Sequence, residues 1–311
     1  MIDCFIMMKK LEDAIREKDA PVVVGLDPTL AMVPDRITQA AYRVYGMTAE
    51  GAGQALCAFN REIIDATADL VPAYKLQIAM YEMYGIPGLT AYRDTIDYCH
   101  EKGLIVIGDI KRGDIGSTAG AYAAAHLGLV SVDDEKVAPF DTDFVTVNPY
   151  LGTDGVQPFI DACRAYDKGM FVLVKTSNPS GREIQDLETT DGIPVYEHVA
   201  NMVHKWGCDI TDGTFSRVGA VVGATHPQAG RRLRELMPDT MFLLPGYGAQ
   251  GATANDIKPF FRKDFTGVIV NSSRGIITAW QSERYERFAE APGDAAREAV
   301  LDMKRDLDQI R

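Results

Sequence analysis

Eight short runs of β-branched or apolar residues punctuate the chain, each ending in polar or glycine-rich residues. They cover 21–27, 73–77, 104–111, 144–148, 170–176, 218–223, 241–244 and 267–271. Between them, 54–70, 87–102, 156–166, 195–206, 228–237 and 256–262 carry apolar residues near helical spacing. Strand alternating with helix implies parallel pairing, since parallel neighbours need a crossover long enough to hold a helix. Eight such units predict an α/β fold of the (β/α)8 TIM-barrel type. A doubly wound open sheet is the alternative. No G-x-G-x-x-G opens the first unit, which weakens a dinucleotide-binding version of it.

No linker, low-complexity tract or shift in composition divides the chain, so 1–311 reads as one domain. Residues 5–16 are briefly apolar and then heavily charged, which suits an amphipathic N-terminal helix better than a signal peptide. Residues 294–305 read as a closing amphipathic helix. Insertions lie near 30–48 and 178–217. Of these, 30–48 and 178–191 exceed the usual loop length and leave the carboxyl ends of the first and fifth strands. They are either covers for a barrel mouth or surface additions without function.

At 46% hydrophobic and 24% charged residues, the composition is that of a globular protein rather than a disordered or fibrous one. No apolar run is long enough to span a bilayer, so no membrane partner is expected. The net charge of -12 argues against a nucleic-acid surface while leaving room for a local basic pocket. Cys4, Cys57, Cys99, Cys163 and Cys208 are scattered without C-x-x-C spacing and read as reduced thiols, which makes the cytoplasm the expected compartment.

The third run ends unusually, in Gly108-Asp109-Ile110-Lys111-Arg112-Gly113-Asp114. Alternation along a strand puts Asp109 and Lys111 on one face, and Asp114 follows past a glycine that permits a bend. Three charges at a strand end are commonly a solvated ion pair contributing little. In a barrel, however, all eight carboxyl ends face one mouth. That brings Asp27, Lys75, Asp109 and Lys111 into company with the turn Pro245-Gly246-Tyr247-Gly248-Ala249-Gln250-Gly251 and with Asn271-Ser272-Ser273-Arg274-Gly275. Glycine-rich loops and a helix start after strands seven and eight suit a phosphate, and Arg274 could grip two of its oxygens. The histidines are unclustered and neither C-x-x-C nor H-E-x-x-H occurs, so no metal is expected. His226 sits at a strand end, where a ligand contact and a helix-entry role are both open. No G-x-S-x-G elbow points to a serine hydrolase.

These residues resemble, in order and over nearly the whole barrel, the orotidine 5'-monophosphate decarboxylase family. Its strand-end motifs are similar to Gly25-Leu26-Asp27, Tyr74-Lys75, the D-x-K-x-x-D set, Pro245 to Gln250, and Ser273-Arg274. Lys111 to Thr118, Lys175-Thr176-Ser177-Asn178 and Asn271 to Ile276 resemble its longer bacterial branch, type 2. The resemblance implies decarboxylation of orotidine 5'-monophosphate to uridine 5'-monophosphate, the last step of de novo synthesis, without a cofactor. Asp27 and Lys75 would hold ribose hydroxyls and a charged network, Asp109 would lie beside the substrate carboxylate, and Lys111 would protonate the ring carbon. Asp114 and Ile115 would cross a homodimer interface into a shared active site. Ser177 would meet the pyrimidine, while Gln250, Ser273 and Arg274 would meet the base edge and phosphate; Thr118 and Pro245 lie within motifs that line the substrate. One departure is Asn271-Ser272-Ser273 before the arginine, where a Gly-Arg pair is more familiar. Two other readings are a magnesium-dependent sugar-phosphate decarboxylase or aldolase of the same suprafamily and a non-catalytic nucleotide-phosphate-binding barrel. The magnesium enzymes carry an acid at the second strand end, where this chain has Lys75.

Overall fold

The computed structural model describes residues 7–248 and 251–311. Every predicted run is found as a strand: β1 (Val22–Leu26), β2 (Ala73–Gln77), β3 (Ile105–Arg112), β4 (Phe144–Val147), β5 (Gly169–Lys175), β6 (Phe215–Val222), β7 (Thr240–Pro245) and β8 (Val268–Ser272). Their order in the sheet is sequential, helices alternate with them, and the fold class is the expected (β/α)8 barrel. These strands read as mainly apolar runs without polar alternation because strands covered on both faces have no solvent side to mark with polar residues.

The described residues form two compact units, one comprising Ala14–Ile110 and Ser272–Asp308, the other Lys111–Asn271 with the terminal pieces ending at Asp13 and starting at Gln309. In the first, β1 and β2 pair in parallel with Gly25 opposite Lys75, and β2 pairs with β3 so that Gln77 lies opposite Asp109. Helices Ala49–Thr67 and Gly85–Glu101 bury Phe59, Ile63 and Ile64, and Tyr92 and Ile96, respectively. Within 30–48 the chain is helical from Asp35 to Tyr45 rather than an extended loop. Ile37, Thr38 and Ala41 supply its buried stripe, and Gly46, at φ +73°, ends it with an amide bonded to the Tyr42 carbonyl. So narrow a stripe on an otherwise polar segment gives little periodic signal.

In the second unit β4 to β7 are parallel, and the strand Thr211–Asp212 adds antiparallel to β6. Helix Gly116–Leu127 was not among the predicted helices. It buries Ala119, Ala123, His126 and Leu127, residues too small on average to show a marked apolar rhythm. A hairpin, Val130–Val132 with Glu135–Val137, follows it. The helix predicted over 256–262 is cut to Ala254–Ile257 and a 3-10 turn, Lys258–Phe260. Pro259 lacks the amide and crowds the residue before it, so an α-helix does not continue there.

Two half-buried arginines tie this unit together. The N-terminal helix begins at Met7 among the described residues and runs to Lys18. The Met7 and Met8 amides donate to Asp167 Oδ1 and Asp212 Oδ2, carboxylates that Arg217 in turn pairs with. Anions there complement the unpaired amides of the first turn. Arg234 donates to the carbonyls of Phe260, Met237, Thr240 and Gly267, and its guanidinium lies 3.7 Å from the Phe242 ring centroid. Burial, with Arg262 nearby, lowers its pKa to about 9, which still leaves it charged at neutral pH.

Candidate active site

Within the first unit three strands deliver one charge each to a single point. Lys75, in β2, is 4% exposed, and its ammonium lies 3.0 Å from Asp27 Oδ1, just past β1, and 3.1 Å from Asp109 Oδ2 on β3. Gln77 Nε2 donates to the same Asp109 oxygen at 2.9 Å, and Ser273 Oγ donates to Asp27 Oδ2 at 2.6 Å. Burial alone would lower the Lys75 pKa, but Asp27 and Asp109 outweigh it and hold the ammonium well above its ordinary value of 10.5. One cation thus stands between two carboxylates. Hydrogen bonds to ionised groups are the stronger kind, so the array is held stiffly.

A buried polar relay backs it. The Tyr81 hydroxyl donates to the Leu26 carbonyl, immediately before Asp27, and accepts from Asn60 Nδ2 at 2.8 Å. Asn60 Nδ2 also reaches Thr95 Oγ1, whose own proton goes to the Ala91 carbonyl. Because both hydroxyls already donate, only the amide nitrogen can satisfy them, which sets the Asn60 orientation. Burial pushes the Tyr81 phenol well above its usual value, so it stays a donor.

In the second unit Lys111 is exposed and has φ +45°, a left-handed conformation in the last turnout of a strand. The strict alternation expected for Asp109 and Lys111 therefore does not carry through Lys111. For a residue with a Cβ this conformation costs roughly 1–2 kcal/mol, and such strain collects where a side chain must be aimed. The Lys111 amide donates to Thr146 Oγ1 at 2.9 Å. Asp114 Oδ1 accepts from the Ile115 amide just before helix Gly116–Leu127, whose first turn carries Thr118; Ile115 and Thr118 are exposed.

Ser177 follows β5 and sits directly on Gly223, where an added Cβ would come within 2.8 Å of the Ser177 amide and Cα. Beyond it, Asp186 pairs with Lys175, and Gln185 bonds both the amide and the hydroxyl of Thr176. His226 caps the start of helix Pro227–Leu236, its Nε2 2.9 Å from the Thr176 carbonyl, so its contact here is structural. Pro245 ends β7, and its carbonyl accepts from the Ala224 amide. The turn after it carries positive φ at Gly246, Gly248 and Gly251, while Gln250 lies outside the described residues. Arg274 is exposed and opens the short helix Arg274–Ile277 directly after Ser273. Among the described residues no three His, Cys, Asp or Glu side chains cluster as metal ligands would.

Residues 20–287 match the family model described as orotidine 5'-phosphate decarboxylase / HUMPS family. Orotidine 5'-phosphate decarboxylase of Clostridium acetobutylicum is 39% identical over 307 residues, covering 98% of this chain and 99% of that protein. The enzyme of the same name from Petrotoga mobilis is 43% identical, covering 95% and 96%. The solved structure of Leishmania donovani OMP decarboxylase has a TM-score of 0.73 at 28% identity, covering 98% of this chain and all of that one.

The chain belongs to the orotidine 5'-phosphate decarboxylase / HUMPS family.

Membership agrees with the resemblance carried by the strand-end motifs, and the geometry adds what those motifs omit. Asp27, Lys75, Asp109 and Ser273 come together in one hydrogen-bonded group. Gln77, read only as the end of a strand, belongs to that group, and Tyr81 stands behind it. Thr146, read as strand interior, bonds the backbone of Lys111. For Thr146 a polar residue inside an apolar run was the available signal, since buried polar groups must find partners; Gln77, at the end of its strand, carried none.

Proposed function

We propose that this protein decarboxylates orotidine 5'-monophosphate to uridine 5'-monophosphate and carbon dioxide, the closing step of de novo synthesis, with Lys111 as proton donor and no cofactor. The observation that carries this reading is the ammonium of Lys75 buried between Asp27 and Asp109, in a chain whose full-length relatives are orotidine 5'-phosphate decarboxylases. The magnesium-dependent sugar-phosphate branch needs an acid at the second strand end. A buried cation there repels a divalent ion.

Loss of carbon dioxide leaves a carbanion on the pyrimidine. A lysine ammonium aimed at that carbon stabilises the charge as it develops and then supplies the proton. Asp109 lies beside the departing carboxylate in this reading. Two unit charges at 4 Å and an effective dielectric of about 20 repel by about 4 kcal/mol. Lys75 and Gln77 both bond Asp109 and reduce that figure, so more of the rate is assigned to Lys111. Asp27 takes a ribose hydroxyl, Ser177 meets the base, and Ser273 and Arg274 with the turn after Pro245 hold the phosphate. Binding energy from that remote phosphate keeps the reacting carbon in place.

Asp114 and Ile115 complete the site of a second subunit, so the working form is a homodimer. The exposed Ile115, 56% accessible in one chain, suits such a contact. No helix of the described residues is long and apolar enough to cross a membrane. Cys57, Cys99, Cys163 and Cys208 are thiols, in keeping with a cytoplasmic enzyme, while Cys4 lies outside the described residues, and the net charge of -12 disfavours a nucleic-acid partner.

The test is the ultraviolet absorbance change of orotidine 5'-monophosphate with purified protein in excess chelator, beside Lys111→Ala. Wild type converts the substrate and a folded Lys111→Ala does not. No conversion by folded wild type would move the assignment to a sugar-phosphate enzyme or a silent binder.

A further inference from the structure

We propose that Thr146 is a positioning residue for Lys111, its buried hydroxyl holding that lysine in the left-handed conformation from which the ammonium is presented. The inference rests on Lys111 being the proton donor. Among the described residues the non-glycine positions of positive φ are Asp19, Lys111, Asp133, Asp141, Asp167 and Phe265. Four are aspartates, which tolerate this conformation through local hydrogen bonds. Lys111 alone of the six lies within a strand. Nothing in a lysine side chain favours that backbone, so the surrounding structure must hold it.

The hold is visible on both sides of the residue. The Lys111 amide donates to Thr146 Oγ1, a side-chain oxygen where a ladder would ordinarily offer a main-chain carbonyl. One residue on, the Asn148 amide donates to the Arg112 carbonyl at 2.8 Å, and Gly113 is laid so close that an added Cβ would be 3.2 Å from the Asn148 carbonyl oxygen. Thr146 is itself 1% exposed and stands in β4 opposite Phe171 of β5, so its oxygen has a fixed place. Removing the oxygen takes this acceptor from the Lys111 amide and lets the residue relax toward an ordinary strand conformation.

Thr146→Val keeps the shape and removes the oxygen, while Thr146→Ser keeps the oxygen. The expected result is a kcat about 30- to 100-fold lower in Thr146→Val, the scale of a misplacement near 1 Å. Uridine 5'-monophosphate binding stays within about threefold, and Thr146→Ser recovers most of kcat. A folded Thr146→Val with kcat within about threefold of wild type would overturn the proposal. Wild type without turnover, or Lys111→Ala with turnover, would instead fail the reading beneath it, and this inference with it. If Thr146→Val does not fold, the decision passes to wild type labelled with 15N-lysine. There the Lys111 amide should exchange hydrogen at least about tenfold more slowly than the exposed Lys136 amide, and equal rates would sink the idea.

Discussion

Replacing Lys75 by methionine would test the three-charge array most directly. Methionine matches the lysine stem in length and puts no charge between the two carboxylates. Both carboxylates contact one nitrogen, at 3.0 and 3.1 Å, so their near oxygens are at most about 6 Å apart, where two unit charges repel by about 3 kcal/mol at an effective dielectric near 20. That screened dielectric is appropriate because the Asp27 side chain is 22% exposed. Removing one partner of a buried ion pair generally costs about 3–5 kcal/mol, and here the repulsion makes up most of it.

The repulsion makes the loss depend on pH in a defined direction. That repulsion favours uptake of one proton by the folded variant's carboxylate pair, a preference the unfolded chain, with the two groups apart, does not share. Where the pair takes up that proton the folded variant binds more protons than the unfolded chain, and its stability relative to wild type rises as pH falls. Wild type has no such window from this group. With its pKa held above 10.5, Lys75 contributes stability that is fully present below that value and is lost only as pH rises through the folded value. Urea unfolding followed by circular dichroism should therefore show a gap between wild type and Lys75→Met of about 4 kcal/mol at pH 7, narrowing toward pH 4.5 by up to the roughly 3 kcal/mol of repulsion that protonation removes. A gap constant to within about 0.5 kcal/mol across that range would mean that the two carboxylates do not share the lysine.

Gly223→Ala places a methyl 2.8 Å from the Ser177 backbone, which must shift. The KM for orotidine 5'-monophosphate should rise several-fold with a smaller change in kcat, alongside about 1–3 kcal/mol of lost stability, and an unchanged KM would remove Ser177 from the base pocket. Mixing inactive Lys111→Ala with inactive Asp114→Ala should restore one intact site per heterodimer, measured as regained turnover. Heterodimers that form and stay inactive would show that Asp114 does not cross between subunits.

The strands were legible because burial on both faces leaves the same trace in each, an apolar run stopped by a charge, an amide or a glycine. Helix Gly116–Leu127 left no such trace, since alanine and glycine bury easily and mark no face. Asp27, Lys75 and Asp109, which share one hydrogen-bonded group, were equally legible as charges at strand ends. What periodicity could not convey was which charge stands between which: Lys75 reads as one more polar strand end until its nitrogen is seen 3.0 and 3.1 Å from two carboxylates.

The backbone of Lys111 was the least accessible feature, because positive φ announces itself in sequence only through glycine, asparagine or aspartate. A lysine in that conformation carries no local signature, and its cause lies 35 residues away in Thr146. Yet that distant partner is marked. In Phe144-Val145-Thr146-Val147 a single hydroxyl interrupts a buried apolar run, and a hydroxyl at 1% exposure without a partner would cost about 1–3 kcal/mol. The run therefore requires a donor or acceptor from elsewhere in the fold, and the neighbouring strand is where a sheet supplies one. Together with the odd ending of β3, that buried hydroxyl is the trace in the sequence of the hold on the Lys111 backbone, a hydrogen-bond requirement rather than a motif.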